Sequence, residues 1–170
     1  MKGVEAYMNA KRTVFAIVII AMCAALCSCS CGGAATMHRT TPDETATVYT
    51  VTGSCELTQE GDSLVVNCKT DMMDGTLIKL SVDSYNGDVL ASEVKTVENG
   101  AASAAFVLDS KWSGTIYGNA VVLPSANGEQ TKEFYEKYGK KMQNINSEAL
   151  IWNVEGNIII FQSKELDLGA

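Results

Sequence analysis

Cysteine has the most chemistry to offer in this chain, and its six copies fall into two groups. Cys23, Cys27, Cys29 and Cys31 crowd one N-terminal stretch, whereas Cys55 and Cys68 lie well inside the sequence. The second pair brackets Gly61-Asp62, a two-residue hairpin signal, because Gly supplies the positive φ such turns need. Folding the chain about that turn sets Cys55 opposite Cys68. Counting outward from the hydrogen-bonded pair Glu60–Ser63, 55–68 becomes a non-hydrogen-bonded pair, where side chains come closest. A cross-strand disulfide is therefore expected, worth on the order of 3 kcal/mol. The alternative is two half-buried thiols that merely align. A zinc site lacks further ligands at the right spacing.

Other reactive groupings are sparse. His38 is the only histidine and lies before the folded region, so no Ser–His–acid or Cys–His system can form in a core. The glycines belong to turns, without the pattern of a phosphate-cradling or dinucleotide-binding loop. Asp71-Met-Met-Asp74-Gly75 lacks the ligand series and terminal Glu of a calcium loop and reads as a turn with exposed carboxylates. No metal or other cofactor is expected. Acidic residues are numerous enough for a two-carboxylate hydrolase, yet no pair stands out. Trp112, Trp152, Tyr117 and Tyr135 are candidate ligand-facing aromatics for sugar stacking, against the competing reading of a buried aromatic core.

The N-terminal cysteines sit in a different setting. Lys11-Arg12 precede an apolar run from Thr13 to Leu26, after which Ser and Cys take over. Basic stretch, short apolar run and small residues follow in the order of a secretory signal. Leu26-Cys27-Ser28-Cys29 resembles the bacterial lipobox, with Leu three positions before a Cys and a small residue just before it. That resemblance implies cleavage after residue 28 and a lipidated Cys29 as the first mature residue. Cys27 is a departure, since the family more often has a small aliphatic or hydroxyl residue there. An uncleaved anchor from Val14 to Ala35, or ordinary cleavage near Ala35, are the alternatives. The expected location is extracytoplasmic, with a lipid anchor on the cell membrane.

Charge narrows the partners. The chain carries a formal net charge of −7. Lys2, Lys11, Arg12 and Glu5 precede Cys29, which leaves 10 basic and 19 acidic residues and a net of −9 after it. So acidic a surface has no footprint for nucleic acid, and membrane attachment has to come from the leader or a lipid.

These groups need elements to hold them. Residues 29–47 mix Gly, Ala, Thr, Pro and charge without periodicity and read as a flexible tether to a domain over 48–170. β-leaning runs follow at Val48–Leu57, Leu64–Lys69, Leu77–Val82, Val89–Val97, Ala102–Leu108, Ile116–Leu123, Ala149–Val154 and Ile158–Gln162, with Asp-Gly and Asn-Gly corners between several of them. Short strands so punctuated predict an all-β sandwich or barrel. Gln130–Met142 breaks the pattern, placing Phe134, Tyr138 and Met142 on one helical face, with Asn127 and Gln130 as expected caps.

Gly61-Asp-Ser-Leu64, Thr70-Asp-Met-Met-Asp-Gly-Thr76, Leu80, Val97-Glu-Asn-Gly100, Phe106 and Gly114-Thr-Ile-Tyr117 together resemble immunoglobulin-like sandwiches on Gram-positive surface lipoproteins. The resemblance implies an antiparallel β-sandwich, a surface location, and a role in binding, adhesion or assembly. Tyr117 would then be the tyrosine of the corner hydrogen bond found in such sandwiches. The expected function is a non-catalytic module for a protein partner in the envelope. A glycan-binding module using exposed aromatics and a small carboxylate hydrolase are the alternatives.

Overall fold

The structure, a computed structural model, describes residues 41–42, 44–125, 128–153 and 156–169. The expected signal, the lipidation site Cys29 and the tether through residue 40, with Asp43, lie outside the described residues. The elements in chain order are β1 (Tyr49–Thr50), β2 (Gly53–Glu60), β3 (Ser63–Thr70), β4 (Leu77–Ser84), β5 (Val89–Thr96), β6 (Ala101–Val107), β7 (Thr115–Val122), α1 (Lys132–Tyr138), β8 (Ile145–Asn146), β9 (Leu150–Asn153), β10 (Gly156–Gln162) and β11 (Leu166–Asp167).

Turn chemistry sets the hairpins. Gly61 has φ 59°, and the β2–β3 register runs from Glu60↔Ser63 to Gly53↔Thr70. Asn99 and Gly100, at φ 51° and 73°, make the doubly left-handed corner that joins β5 to β6. There the chain changes sheets. β6 joins the three-stranded sheet β2-β3-β6, whereas β5 remains in the larger sheet β5-β4-β7-β10-β9, with β11 on the β10 side of β7. Every pairing in the two sheets is antiparallel.

Strict alternation then divides the faces. Leu64, Val66 and Cys68 of β3 and Ala102 and Ala104 of β6 point into the core. Ile78, Leu80 and Val82 of β4, Ile116, Ala120 and Val122 of β7, and Ile159 and Phe161 of β10 supply the other wall. Each fully buried Leu or Ile contributes roughly 1.5–3 kcal/mol. The sheets approach closely at Gly118, where a Cβ would stand 3.1 Å from Leu57 Cβ. The result is the expected all-β protein, with antiparallel sheets in a sandwich-like arrangement and one short helix.

Three expectations change in detail. The run Val48–Leu57 is not one strand: β1 breaks off before Val51 and pairs in parallel with β8, which the sequence pattern did not reveal. The helix is shorter than Gln130–Met142 because Gly139, at φ 83°, ends it. Its N-cap is Thr131, whose hydroxyl accepts from Phe134 N–H at 3.1 Å. Gln130 is buried instead as a strut, accepting from Leu77 N–H at 2.8 Å and donating to Leu77 and Leu123 carbonyls. Asn127 lies outside the described residues. Phe134, Tyr138 and Met142 still share the core, though Met142 reaches it from the loop after the helix.

Candidate functional site

Two cross-strand pairs gather the groups with chemical potential. The first is Cys55 with Cys68, opposite each other in the β2–β3 register as the spacing predicted. The sulfurs are not bonded; both residues are free thiols, so the expected disulfide is absent from the structure. Cys68 is buried on the inner face and Cys55 half-buried. Burial raises the Cys55 thiol from the usual 9.0 to about 12, with Cys68 and Glu56 adding to the shift and a backbone hydrogen bond at Ser163 opposing it. Burial alone raises Cys68 to about 11. Both are protonated at neutral pH and are therefore poor nucleophiles and poor metal ligands.

The second pair was not foreseen. On the outer face of the larger sheet, Ser81 and Asp83 of β4 stand beside Asn119 and Tyr117 of β7 in the register Ser81↔Asn119 and Asp83↔Tyr117. Asn119 Nδ2 donates to Asp83 Oδ2 at 2.7 Å. Outer-face residues usually meet water, yet Ser81 is 2% and Asn119 3% exposed. Oδ1 of Asp83 and Oδ1 of Asn119 are both buried without a hydrogen-bond partner among the described residues. Burial raises the Asp83 carboxyl above the usual carboxylate range, while Ser81, Asn119 and Lys79 pull the other way. Polar residues at alternate positions of two strands were the available sign. The partnership depends on a pairing across 36 residues of chain, which local pattern does not specify.

Tyr117 extends this cluster. Its hydroxyl donates to Glu165 Oε1 at 3.1 Å, and its ring stacks on Tyr85 with centroids 6.5 Å apart and planes at 28°. Burial, then Glu165, raises the Tyr117 hydroxyl to about 12.

The two tryptophans do not share a platform. Trp112 packs half-buried against the core in the loop before Thr115, at the start of β7. Trp152 lies in the edge strand β9 opposite Asn157, two residues beyond the Ile159↔Val122 pair at the other end of β7. A strand of that length separates them by on the order of 25 Å. Tyr135 donates to Pro124 O at 2.7 Å and packs against the core.

Asp71 and Asp74 are exposed in the turn, and both also hold neighbouring loops. Asp71 accepts from Thr52 N–H and hydroxyl at 2.7 and 2.9 Å, and Asp74 from Gly100 N–H at 3.1 Å. No cluster of three His, Cys, Asp or Glu suited to a metal occurs among the described residues. Two shallow hollows meet at Thr52–Gly53. One includes Asp71 and Lys69, the other Glu148 and Phe161, so each offers a single carboxylate.

Comparison with known proteins gives no match: no family, no curated protein and no solved structure corresponds to this chain.

Proposed function

We propose that this chain is an exported, lipid-anchored module of immunoglobulin-like type that binds a protein partner in the envelope without catalysis. The single observation that carries the binding role is the outer face of the larger sheet. Its centre at Ser81, Asn119 and Tyr117 is buried and locked by hydrogen bonds, while Tyr85, Val89 and Val94 at its rim remain exposed. Tyr85 is 44% exposed and held by the Tyr117 ring, an anchor that would lose little freedom on contact.

Strand order supports the immunoglobulin-like reading. β2, β3 and β6 stand where A, B and E do in that fold, and β4, β7 and β10 where C, F and G do, with β5 beside β4 as an added edge. α1, β8 and β9 are then an insertion between the last two strands. The thiol register also supports a Cys55–Cys68 disulfide in an oxidising compartment. Separation of the tryptophans weighs against a sugar platform.

The test is a photoreactive benzophenone amino acid at Tyr85 in the full-length, membrane-attached protein, followed by mass spectrometry of the captured species. One recurrent partner protein is the expected outcome; no capture at Tyr85 would remove the binding reading. Acyl labelling lost in Cys29→Ser would support the anchor, and labelling that survives would refute it.

A further inference from the structure

The described edge strands differ in how they are protected. β2 carries Glu56 and Glu60, β5 carries Glu93 and Lys95, joined at 2.6 Å, and β9, though uncharged, is only 4 residues long. Charges on an edge discourage another strand from pairing there. β6 reads Ala-Ala-Ser-Ala-Ala-Phe-Val, with neither charge nor proline, at the edge of its sheet beyond β3.

Its hydrogen-bonding direction follows from both ends. Thr70 N–H donates to Gly100 O and Leu108 N–H to Asp62 O, so the even-numbered residues of β6 bond to β3. The odd-numbered residues therefore turn their main-chain groups outward. Ala101 spends its pair on Glu98, at 2.9 and 3.0 Å. Beyond it β5 and β6 part into different sheets, and no hydrogen bond among the described residues uses the N–H or C=O of Ser103, Ala105 or Val107. The side chains at these positions are exposed and small, apart from Val107, which is 78% exposed. The main chain is thus open to approach.

We propose that β6 pairs antiparallel with β6 of a second copy of this chain, about a twofold axis at Ala105. That register sets Ser103 against Val107 of the other copy, twice, and Ala105 against itself. All three residues become hydrogen-bonded pairs, giving about six new main-chain bonds at two per pair. Val107 gains Ser103 of the other copy directly opposite and Ala105 on the diagonal. At each end Asp109 and Lys111 of one copy lie toward Glu98 of the other, so that one base stands among two acids, and Asp109 accepts from Lys111 N–H at 2.9 Å. In so acidic a chain, an uncharged edge is where two copies can approach at least electrostatic cost. A twofold pairing of this kind closes at two copies.

A benzophenone amino acid at Val107 of the full-length, membrane-attached protein tests it, with the same group at Glu56 on β2 as the comparison. The expected result is a conjugate of two copies from position 107 and not from 56. Capture of a different protein alone, no conjugate, or a ladder of larger species would each overturn the proposal. Ala105→Lys places two ammonium groups across the axis and should cut the conjugate several-fold. Co-expressing Ala105→Lys with Ala105→Glu should restore it between unlike copies, which a mere folding defect would not allow; an unchanged yield, or no rescue, contradicts the register.

Discussion

The Cys55–Cys68 pair and the Asp83–Asn119 pair are built alike and behave in opposite ways. Each joins neighbouring antiparallel strands, and burial raises the titrating groups of each above their usual values. For a thiol, the neutral form that burial favours is already the form present at pH 7. For a carboxyl, the usual form at pH 7 is the anion, which burial disfavours. The inner-face pair therefore rests without penalty, and the outer-face pair requires its Asn119 and Ser81 hydrogen bonds. One site is quiet chemistry in a core; the other is a polar anchor that shapes a surface.

The strongest way to sharpen this contrast is to oxidise the thiols. If the pair is in bonding register, oxidation with a disulfide reagent should remove two hydrogens and close a short loop, raising stability by about 3 kcal/mol. Denaturant midpoints with and without reductant measure it, and Cys55→Ala/Cys68→Ala should erase the reductant dependence. Equal midpoints in the two conditions would mean that the alignment is incidental. The reduced protein should also lose stability as pH rises above 9.0. Its unfolded thiols ionise there, while the folded ones hold their protons to about 11 and 12.

The next largest effect should come from the other pair. Asn119→Ala removes the donor 2.7 Å from Asp83 and leaves a buried carboxylate with less support. The expected cost is about 2 kcal/mol, the scale of a hydrogen bond to a charged group. Thermal or denaturant unfolding reads it directly. A loss below a few tenths would show that Asp83 finds solvent or another donor, and the contrast between the two faces would collapse.

Legibility in the sequence followed the range of the contacts. The Cys55–Cys68 register was readable because Gly61-Asp62 fixes a two-residue turn and everything in the hairpin counts outward from it. The strand runs were readable for a similar local reason, since apolar alternation and Asn-Gly corners lie within a few residues. Asp83 and Asn119 were not paired in advance because β4 and β7 meet only after β5 and β6 have gone elsewhere. The parallel β1–β8 contact failed for the same reason, joining Tyr49 to Ile145. In α1 the apolar stripe was right and the length wrong, because Phe134 and Tyr138 pack as the periodicity asks while Gly139 breaks the helix before Met142. Periodicity reports which face is buried; stop signals decide where the backbone turns.

The finest test of the comparison is Asp83→Asn, which keeps the shape and the acceptor for Asn119 while removing the charge. The folded carboxyl titrates above its unfolded value, so Asp83 contributes its full stability below the unfolded pKa. That contribution is lost as pH rises through the folded value. The variant should therefore match the parent most closely in acid and become the more stable of the two near pH 7, by less than Asn119→Ala costs. Lys79, Ser81 and Asn119 face the carboxyl and each favours its anion, which keeps the gain small. Melting temperatures of both proteins across pH 4–8 would display the divergence. A variant weaker than the parent near pH 7 would mean that the anion is stabilised more by these three neighbours than burial disfavours it, and the two pairs would then differ in kind rather than only in sign.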